Sequence, residues 1–228
     1  MSLTRTLLRT PHTIACIGRN YADHIKELNN TTPSVPFFFL KPPGTLLHPN
    51  AGPVLCPRGV DLHYEVELAA VIGREADDLT AENALDAVKG WCVGIDMTAR
   101  NYQETAKSKR LPWTLCKGFK TFLPVSGFIP KSLIPNAQDA ELYLSVNGEV
   151  RQQDSTALML FGVPKLLQHV TGVTTLYEDD LVLTGTPKGV GKVVAGDVMR
   201  AGIRVGGRDI EEGRIEVRVE DRVGGFGA

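Results

Sequence analysis

Two glutamates, Glu65 and Glu67, are separated by one residue in the β-prone stretch HYEVELAAVIG (63–73). Side chains on a strand alternate between its two faces, so both carboxylates project the same way. Neighbouring acids repel each other, and a divalent cation between them removes that repulsion. Hard oxygen ligands favour Mg²⁺, Mn²⁺ or Ca²⁺ over zinc or copper. The alternative is the solvated outer face of an edge strand, and spacing alone does not separate the two.

A third acid, Asp96, ends the apolar strand WCVGI and precedes the helix-like stretch TARNYQETAKSK. Strand ends commonly present ligands and catalytic groups on a rigid support. Asp is also a good N-cap, so Asp96 could instead begin the following helix. If that stretch is helical, Arg100 and Gln103 fall roughly along the same side as Asp96. An acid, a planar cation and an amide placed together could hold a metal and a substrate carboxylate.

His24 and Glu27 stand three residues apart in NYADHIKEL (20–28), which reads as a short helix with Asn20 as its N-cap. A carboxylate bound to one imidazole nitrogen fixes the tautomer and makes the other nitrogen a better base. The same spacing also occurs in surface ion pairs that contribute little to stability. Taken alone, the pair is more typical of such a surface contact than of catalysis.

Two lysines and a glycine-rich turn are the remaining candidates. Lys41 in FFFLK and Lys117 in LCKGF both end apolar runs, which is typical of an ammonium at a pocket rim and equally of a snorkelling surface lysine. The stretch TGTPKGVG (184–191) does not match the phosphate-loop pattern. Its Gly185 and Thr186 could still direct a backbone N–H and a hydroxyl at an anion, or form a plain tight turn.

The elements that must position these residues are mostly strands. Strand-like segments outnumber helices and do not alternate with them regularly, which favours a strand-rich α+β fold over a doubly wound sheet. Asn147 and Gly148, between two alternating runs, predict a type I′ hairpin. The other predicted helices are AENALDAVKG (81–90), the stretch from residue 98, and VPKLLQHV (163–170). The expected organisation is an extension (1–13), one catalytic domain (14–220) and a flexible tail (221–228).

Composition narrows the class of protein. The 228 residues carry a net charge of −1 and no strongly basic stretch, which argues against a nucleic-acid partner because phosphate binding relies on clustered Lys and Arg. No apolar run approaches the roughly 20 residues of a membrane helix. The four cysteines form no CxxC pair and are expected to be reduced thiols. Residues 1–12 contain Arg5, Arg9 and no acid, which resembles a short mitochondrial presequence. A ragged terminus on a cytoplasmic protein is the alternative.

Seven segments, in this order, resemble the fumarylacetoacetate hydrolase family, with the closest likeness to its short branch of acylpyruvases and oxaloacetate decarboxylases. The segments are IGRNYADH, FFFLKP, HYEVELAAVIG, GIDMTARNYQ, LPWTLCKGFKTFLPVS, VNGEVRQ and LTGTPKGVG. The resemblance implies a mixed β-roll with a short N-terminal lid helix, and a homodimer. It also implies Mg²⁺ or Mn²⁺ bound by Glu65, Glu67 and Asp96.

The resemblance further assigns roles to the other candidates. His24 and Glu27 match a lid dyad that activates water, and Arg100, Gln103 and Lys117 match substrate contacts. The loop that closes the pocket corresponds to Gly185 and Thr186. Lys41 is retained as a substrate-binding candidate because it ends the FFFLK run. Gly118 departs from the family pattern, where a small polar residue such as Ser is expected.

The implied substrate is a 2-oxo acid, which would chelate the metal and react through an enolate. Hydrolysis of acylpyruvates would use water activated by His24 and Glu27, whereas decarboxylation of oxaloacetate to pyruvate needs no water. Keto–enol tautomerisation of oxaloacetate on the same site is an alternative. A non-catalytic metabolite-binding protein is the competing hypothesis, but such a protein would not require the His24–Glu27 dyad.

Overall fold

The computed structural model describes residues 8–27 and 31–226. Its α-helices are α1 (Ala22–Glu27), α2 (Arg100–Lys109), α3 (Thr114–Lys117) and α4 (Val163–Thr171). Its strands are β1 (Ile14–Gly18), β2 (Phe37–Lys41), β3 (Leu46–Leu47), β4 (Val54–Cys56), β5 (Leu62–Tyr64), β6 (Val66–Ile72), β7 (Val88–Ile95), β8 (Thr98–Ala99), β9 (Leu123–Pro124), β10 (Ile129–Pro130), β11 (Glu141–Val146), β12 (Glu149–Ser155), β13 (Leu181–Leu183), β14 (Gly191–Lys192), β15 (Val198–Val205), β16 (Arg208–Asp209) and β17 (Ile215–Asp221). Short 3₁₀ helices cover Pro43–Thr45, Ala84–Ala87, Lys131–Leu133, Thr156–Leu158 and Glu211–Gly213.

Two larger sheets form the framework. The first has the order β10-β7-β6-β13-β1-β2, and the second has the order β12-β11-β15-β17-β4 with β16 paired to β15. Most neighbours are antiparallel, but β1 pairs with β13 and β17 pairs with β4 in parallel. The three-stranded sheet β14-β5-β8 and the pair β3-β9 complete the fold. The prediction of a mixed, strand-rich α+β fold is confirmed.

Strand β6 lies inside the first sheet, between β7 and β13, and every one of its residues is buried. Its continuous apolar sequence, VELAAVI, suits a strand that is covered on both faces. One face joins the large core shared with β11 and β15, and the other packs in a smaller cluster around Ile14, Cys16 and Leu181. The glutamate-containing stretch is therefore held at the buried centre of the first sheet.

Several predicted elements are confirmed. β11 and β12 form a hairpin whose turn residues Asn147 and Gly148 both have positive φ, at 52° and 87°. Two successive residues with positive φ are the signature of a type I′ turn. The predicted helix at 163–170 is α4, which buries Leu166, Leu167 and Val170.

The prediction of a helix over 81–90 is wrong. Only the 3₁₀ turn Ala84–Ala87 is helical, and β7 begins at Val88. Gly90, read as the end of a helix, pairs with Val71 of β6 and with Pro130 of β10. Pairing on both sides of β7 outweighs the helix propensity of the Ala-rich segment, which is weak by comparison.

The ends of two other helices also differ from prediction. Asn20 does not cap α1; its side-chain amide instead binds the carbonyl groups of Phe161 and Thr184, at 3.0 and 2.8 Å. α2 begins at Arg100, two residues later than predicted, because Thr98–Ala99 pairs with β5 as β8. Long-range pairing decides both boundaries.

The predicted extension and tail are only partly within the described residues. Residues 1–7, which contain most of the presequence-like stretch, lie outside them. In the tail, the ring of Phe226 lies 5.5 Å from that of Tyr102 and 5.3 Å from that of Phe119. The flexibility of residues 221–228 stays a prediction. Across 8–27 and 31–226, none of the helices has the length and apolar character needed to cross a bilayer.

Candidate active site

Two neighbouring strands bring the three predicted acids together. Glu65 and Glu67 flank the first residue of β6, and Asp96 directly follows β7, which pairs with β6 in antiparallel register. The Asp96 N–H donates to the Glu65 carbonyl at 2.8 Å. One carboxylate oxygen from each acid lies within 4.8 Å of the others, and all three residues are buried. The solvated-edge alternative for the glutamates is therefore wrong.

Three cations surround this carboxylate cluster. Lys117 Nζ bridges Glu65 and Asp96, at 2.9 and 2.6 Å. Arg100 donates to the other oxygen of Glu65 at 2.7 Å. Lys41 Nζ donates to Asp96 at 2.6 Å. Since both oxygens of Asp96 accept from ammonium groups and α2 begins at Arg100, Asp96 is not an N-cap.

Lys41 and Lys117 are both fully buried, so neither is a snorkelling surface lysine. Lys117 lines the pocket above the carboxylates. Lys41 lies on the far side of Asp96, where it also donates to the Met97 carbonyl at 3.1 Å. Its ammonium is thus committed to two protein oxygens. A direct substrate contact by Lys41 remains an untested prediction.

The three acids differ in their electrostatic surroundings. Burial alone would raise the pKa of Glu65, but the charges of Lys117 and Arg100 outweigh it and hold that pKa below its usual value. Burial, reinforced by Asp96 and Glu65, raises the pKa of Glu67 well above its usual value. Burial would lower the pKa of Lys117, but Asp96 and Glu65 raise it overall.

The donor set fits a hard divalent cation. Among the described residues no Lys or Arg lies within ion-pair distance of Glu67, whose only protein hydrogen bond is from the Gly185 N–H at 2.7 Å. A buried carboxylate without a cationic partner is costly unless a cation is supplied. Three carboxylates offer the oxygen ligands that Mg²⁺ and Mn²⁺ prefer.

The predicted dyad is present on α1. His24 Nδ1 lies 3.2 Å from Glu27 Oε2, and His24 is buried and lines the pocket. Glu27 also accepts from the Gly189 N–H, at 3.1 and 3.3 Å to its two oxygens. Because Glu27 is fixed by a second contact, it holds the imidazole with its other nitrogen available. This is not the arrangement of a free surface pair.

Gly185 and Thr186 lie directly against the carboxylate strand. Thr186 Oγ1 donates to the Val66 carbonyl at 2.8 Å, and Thr186 lines the pocket. Gly185 adopts φ +95°, and a Cβ there would approach the Cβ of Asn20 to 2.8 Å. Both the backbone conformation and the close approach require glycine. The segment is therefore a built wall of the site rather than a plain turn.

Arg100 and Gln103 lie together on the first turn of α2. Arg100 Nη1 donates to Gln103 Oε1, and both side chains line the pocket. The Nε of Arg100 is buried and has no hydrogen-bond partner among the described residues. That orphan donor is what an anionic ligand would satisfy.

Sequence reasoning missed other residues of the pocket wall, namely Ile17, Gly18, Arg19, Phe39, Lys107 and Trp113. The sequence does indicate that Lys107 is near the site, since it follows Arg100 by seven residues on the same helix and so lies on the same face. Trp113 packs against Phe39, with ring centroids 5.2 Å apart and ring planes tilted by 50°. No local pattern predicts that contact, because it joins α3 to the edge strand β2.

Gln152 was also missed. It is buried on β12, where its Oε1 accepts from the Val66 N–H at 2.9 Å. Its Nε2 donates to Thr186 Oγ1 at 2.9 Å and to the Pro187 carbonyl at 2.8 Å. The alternation in VNGEVRQ shows which side of the strand Gln152 is on, but not what lies opposite.

Fold and site together define a strand-rich α+β enzyme fold with a buried carboxylate cluster beneath a lid helix. The family model described as fumarylacetoacetate (FAA) hydrolase C-terminal matches residues 13–220. The chain belongs to the fumarylacetoacetate hydrolase family, which confirms the resemblance seen in its motifs.

Relatives at high identity span nearly the whole chain. The mitochondrial oxaloacetate decarboxylase of Dictyostelium discoideum is 48% identical over 85% of this chain and 89% of the relative. The mitochondrial oxaloacetate tautomerase oaa1 of Schizosaccharomyces pombe is 47% identical over 91% of this chain and 96% of the relative. Among solved structures, fumarylpyruvate hydrolase from Pseudomonas aeruginosa in complex with Mn²⁺ and pyruvate is 31% identical, with a TM-score of 0.85 over 97% of this chain and 93% of that one.

Proposed function

We propose that this chain is a divalent-metal-dependent enzyme that cleaves C–C bonds of 2-oxo acids, by hydrolysis of acylpyruvates, decarboxylation of oxaloacetate, or both. The observation that carries the proposal is the buried cluster of Glu65, Glu67 and Asp96 facing a pocket with a His24–Glu27 pair above it. A pure binding protein needs the ligands but not the base. The names of the relatives support the same substrate class.

Each side chain has a role that follows from its position. Bound Mg²⁺ or Mn²⁺ would supply Lewis-acid stabilisation of the negative charge that develops on the substrate oxygens. Arg100, through its orphan Nε, and Lys117 bind and orient the anionic substrate and offset its charge. His24, held by Glu27, takes a proton from the attacking water in acylpyruvate hydrolysis. Thr186 and the lid exclude bulk water.

Oxaloacetate keto–enol tautomerisation is the second candidate. Several relatives, from Schizosaccharomyces pombe and Bos taurus among others, carry the name oxaloacetate tautomerase. That reaction moves a proton between C3 and the enol oxygen, and His24, the residue of α1 that lines the pocket, is placed to carry it. The two reactions differ in product, since only decarboxylation releases pyruvate.

One assay separates these activities. Purified protein is incubated with oxaloacetate and Mg²⁺, and enol absorbance and pyruvate are followed together against a protein-free, Mg²⁺-matched control. Pyruvate above the control supports C–C bond cleavage, and acylpyruvates are tested next. Faster enol decay without pyruvate supports the tautomerase. If neither signal departs from the control, the proposal is refuted for oxaloacetate, and the result supports the hypothesis of a non-catalytic binding protein.

Two further properties belong to the proposal. The metal is Mg²⁺ or Mn²⁺, as supported by the all-oxygen donor set and by the Mn²⁺ in the Pseudomonas relative. The functional unit is a homodimer, as supported by exposed apolar side chains on and beside the edge strand β2, namely Phe37, Leu40 and Leu115. Light scattering on a sizing column tests the dimer, and a monomer at micromolar concentration would refute it.

We assign the chain to mitochondria, because the curated relatives are named mitochondrial and residues 1–12 are Arg-containing and acid-free. A fluorescent fusion of the full chain should co-localise with a mitochondrial marker, and deletion of residues 1–12 should release it. A diffuse signal from the full fusion would support the cytoplasmic alternative.

A further inference from the structure

The segment 184–189, here called the connecting loop, is bonded to the lid helix α1 at both of the helix's ends. Before α1, Asn20 Nδ2 donates to the Thr184 carbonyl at 2.8 Å. At the last residue of α1, Glu27 accepts from the Gly189 N–H at 3.1 Å. The same Glu27 carboxylate holds His24. The position of the imidazole therefore depends on where the connecting loop lies.

The connecting loop is also bonded to the strand that carries two of the acids. The Gly185 N–H donates to Glu67 at 2.7 Å, and Thr186 Oγ1 donates to the Val66 carbonyl at 2.8 Å. Gly185 and Thr186 of the connecting loop thus contact β6, whereas Thr184 and Gly189 contact the two ends of the lid. The connecting loop is therefore hydrogen-bonded both to the strand of the carboxylate cluster and to the helix of the dyad.

One buried side chain, Gln152, joins these two sets of contacts. Its Oε1 accepts from Val66, the residue between the two glutamates. Its Nε2 donates to Thr186 and to the Pro187 carbonyl, in the middle of the connecting loop. An amide is the only ordinary side-chain group that offers an acceptor and two donors in this arrangement. An ionised carboxylate of the same size could accept from Val66 but has no hydrogen to donate, and even a protonated one could not donate to both Thr186 and Pro187.

The lid depends on this support because it is short. α1 has six residues, which is too few for a helix to be stable on its own. A second contact comes from Lys188, whose Nζ donates to Asp23 Oδ2 at 3.1 Å. Both side chains are about half exposed, so this ion pair assists the docking of the lid without burying charge.

We propose that Gln152 is a positioning residue of the site: it fixes the connecting loop against β6 and thereby sets where the His24–Glu27 pair stands over the carboxylate cluster. The proposal deepens the proposed function, on which its kinetic part rests. Gln152 does not line the pocket and is not one of the three acids, so its effect on His24 and Glu27 passes through its contacts with Val66 and with the connecting loop.

The test compares Gln152→Glu with Gln153→Glu. Gln153 is the next residue of β12 and is exposed, so the same chemical change there alters charge without breaking these contacts. Lys188→Gln, with Lys165→Gln on exposed α4 surface as its control, is a second pair that weakens lid docking without disturbing the core. This second pair tests the contact between the connecting loop and the lid on its own. If Gln152→Glu does not fold, Gln152→Asn, whose shorter amide cannot span from Val66 to the loop, takes its place with Gln153→Asn as its control.

The first readout is amide hydrogen exchange, which needs no substrate. We expect faster exchange in residues 22–27 in Gln152→Glu and Lys188→Gln than in either control. Exchange in β15 (Val198–Val205), remote from the loop, should stay unchanged. Equal exchange rates of residues 22–27 in Gln152→Glu and Gln153→Glu would overturn the proposal. It would also be overturned if exchange rose throughout Gln152→Glu, including β15, while Lys188→Gln and Lys165→Gln exchanged equally in residues 22–27.

The second readout is the split between kcat and KM for acylpyruvate hydrolysis. Arg100 and Lys117 stand on other elements, so KM should change little while kcat falls by roughly 10- to 100-fold, a part of what a positioned general base supplies. A rise in KM at constant kcat would refute the positioning role. A wild-type protein without turnover would refute the proposed function instead, and hydrogen exchange would still decide the role of Gln152.

Discussion

Replacing Lys117 by Met should destabilise the metal-free protein strongly while increasing its response to metal. The ammonium of Lys117 bridges two buried carboxylates, at 2.9 Å to Glu65 and 2.6 Å to Asp96. Arg100 and Lys41 remain beside these acids, but each contacts only one of them. Removing one partner from a buried ion pair leaves an uncompensated charge and costs about 3–5 kcal/mol.

That cost can be measured as a melting temperature. For a domain of about 150–250 residues each kcal/mol shifts Tm by about 2–4 °C, so EDTA-treated Lys117→Met should melt roughly 6–20 °C below wild type. A metal at about 100 times its Kd adds about 2.7 kcal/mol to any folded state that binds it. The variant should gain more than wild type at the same Mn²⁺ concentration, because the competing ammonium is gone.

The matched control is Lys120→Met, the same substitution three residues further along at an exposed position. Its Tm and its Mn²⁺ response should equal those of wild type. The reasoning is refuted if EDTA-treated Lys117→Met melts within about 2 °C of wild type, since a buried bridging charge cannot be removed so cheaply. It is equally refuted if Mn²⁺ stabilises Lys117→Met less than wild type.

Three further predictions concern other groups. Glu67→Gln should weaken Mn²⁺ binding by at least about 10- to 100-fold, the loss typical even of an outer-shell partner, as titration calorimetry would show; unchanged affinity would exclude Glu67 as a ligand. His24→Ala should abolish acylpyruvate hydrolysis and spare oxaloacetate decarboxylation in coupled pyruvate assays, and equal loss of both would contradict the water-activating role. Burial raises the pKa of all four thiols, to about 12 for Cys92 and about 11 for Cys116, but Cys56 alone is half-buried rather than buried, so at pH 8 a chromogenic disulfide should titrate Cys56 slowly before denaturation, and all four thiols after it.

The carboxylate cluster was predictable because its geometry is largely local. The two-residue period of a strand places Glu65 and Glu67 on one side, and Asp96 marks the end of the next apolar run. The ordered set of seven segments then indicated the family, and the family implied that Asp96 joins the two glutamates. The approach of Asp96 to the glutamates, through the antiparallel pairing of β6 and β7, could not be read from spacing alone.

Errors fell where distant pairing outweighs local preference. Residues 81–90 have a helical composition, yet Gly90 pairs on both sides within a sheet. Asn20 has the ideal chemistry for an N-cap, yet its amide is bonded to residues more than 140 positions away along the chain. Such partners leave no mark in the sequence near the residue that uses them.

Lys41 and Lys117 show why the remainder needed a structure. Each ends an apolar run, and both are completely buried against Asp96. Lys117 stands at the end of α3, where it faces the pocket and also reaches Glu65. Lys41 ends the edge strand β2, where it pairs with Ile14 of β1, and its ammonium donates to Asp96 Oδ1, the oxygen that Lys117 does not contact. A lysine at the end of an apolar run thus has two different roles in this protein. The tertiary fold, and not the apolar run, decides which oxygen of Asp96 each ammonium contacts.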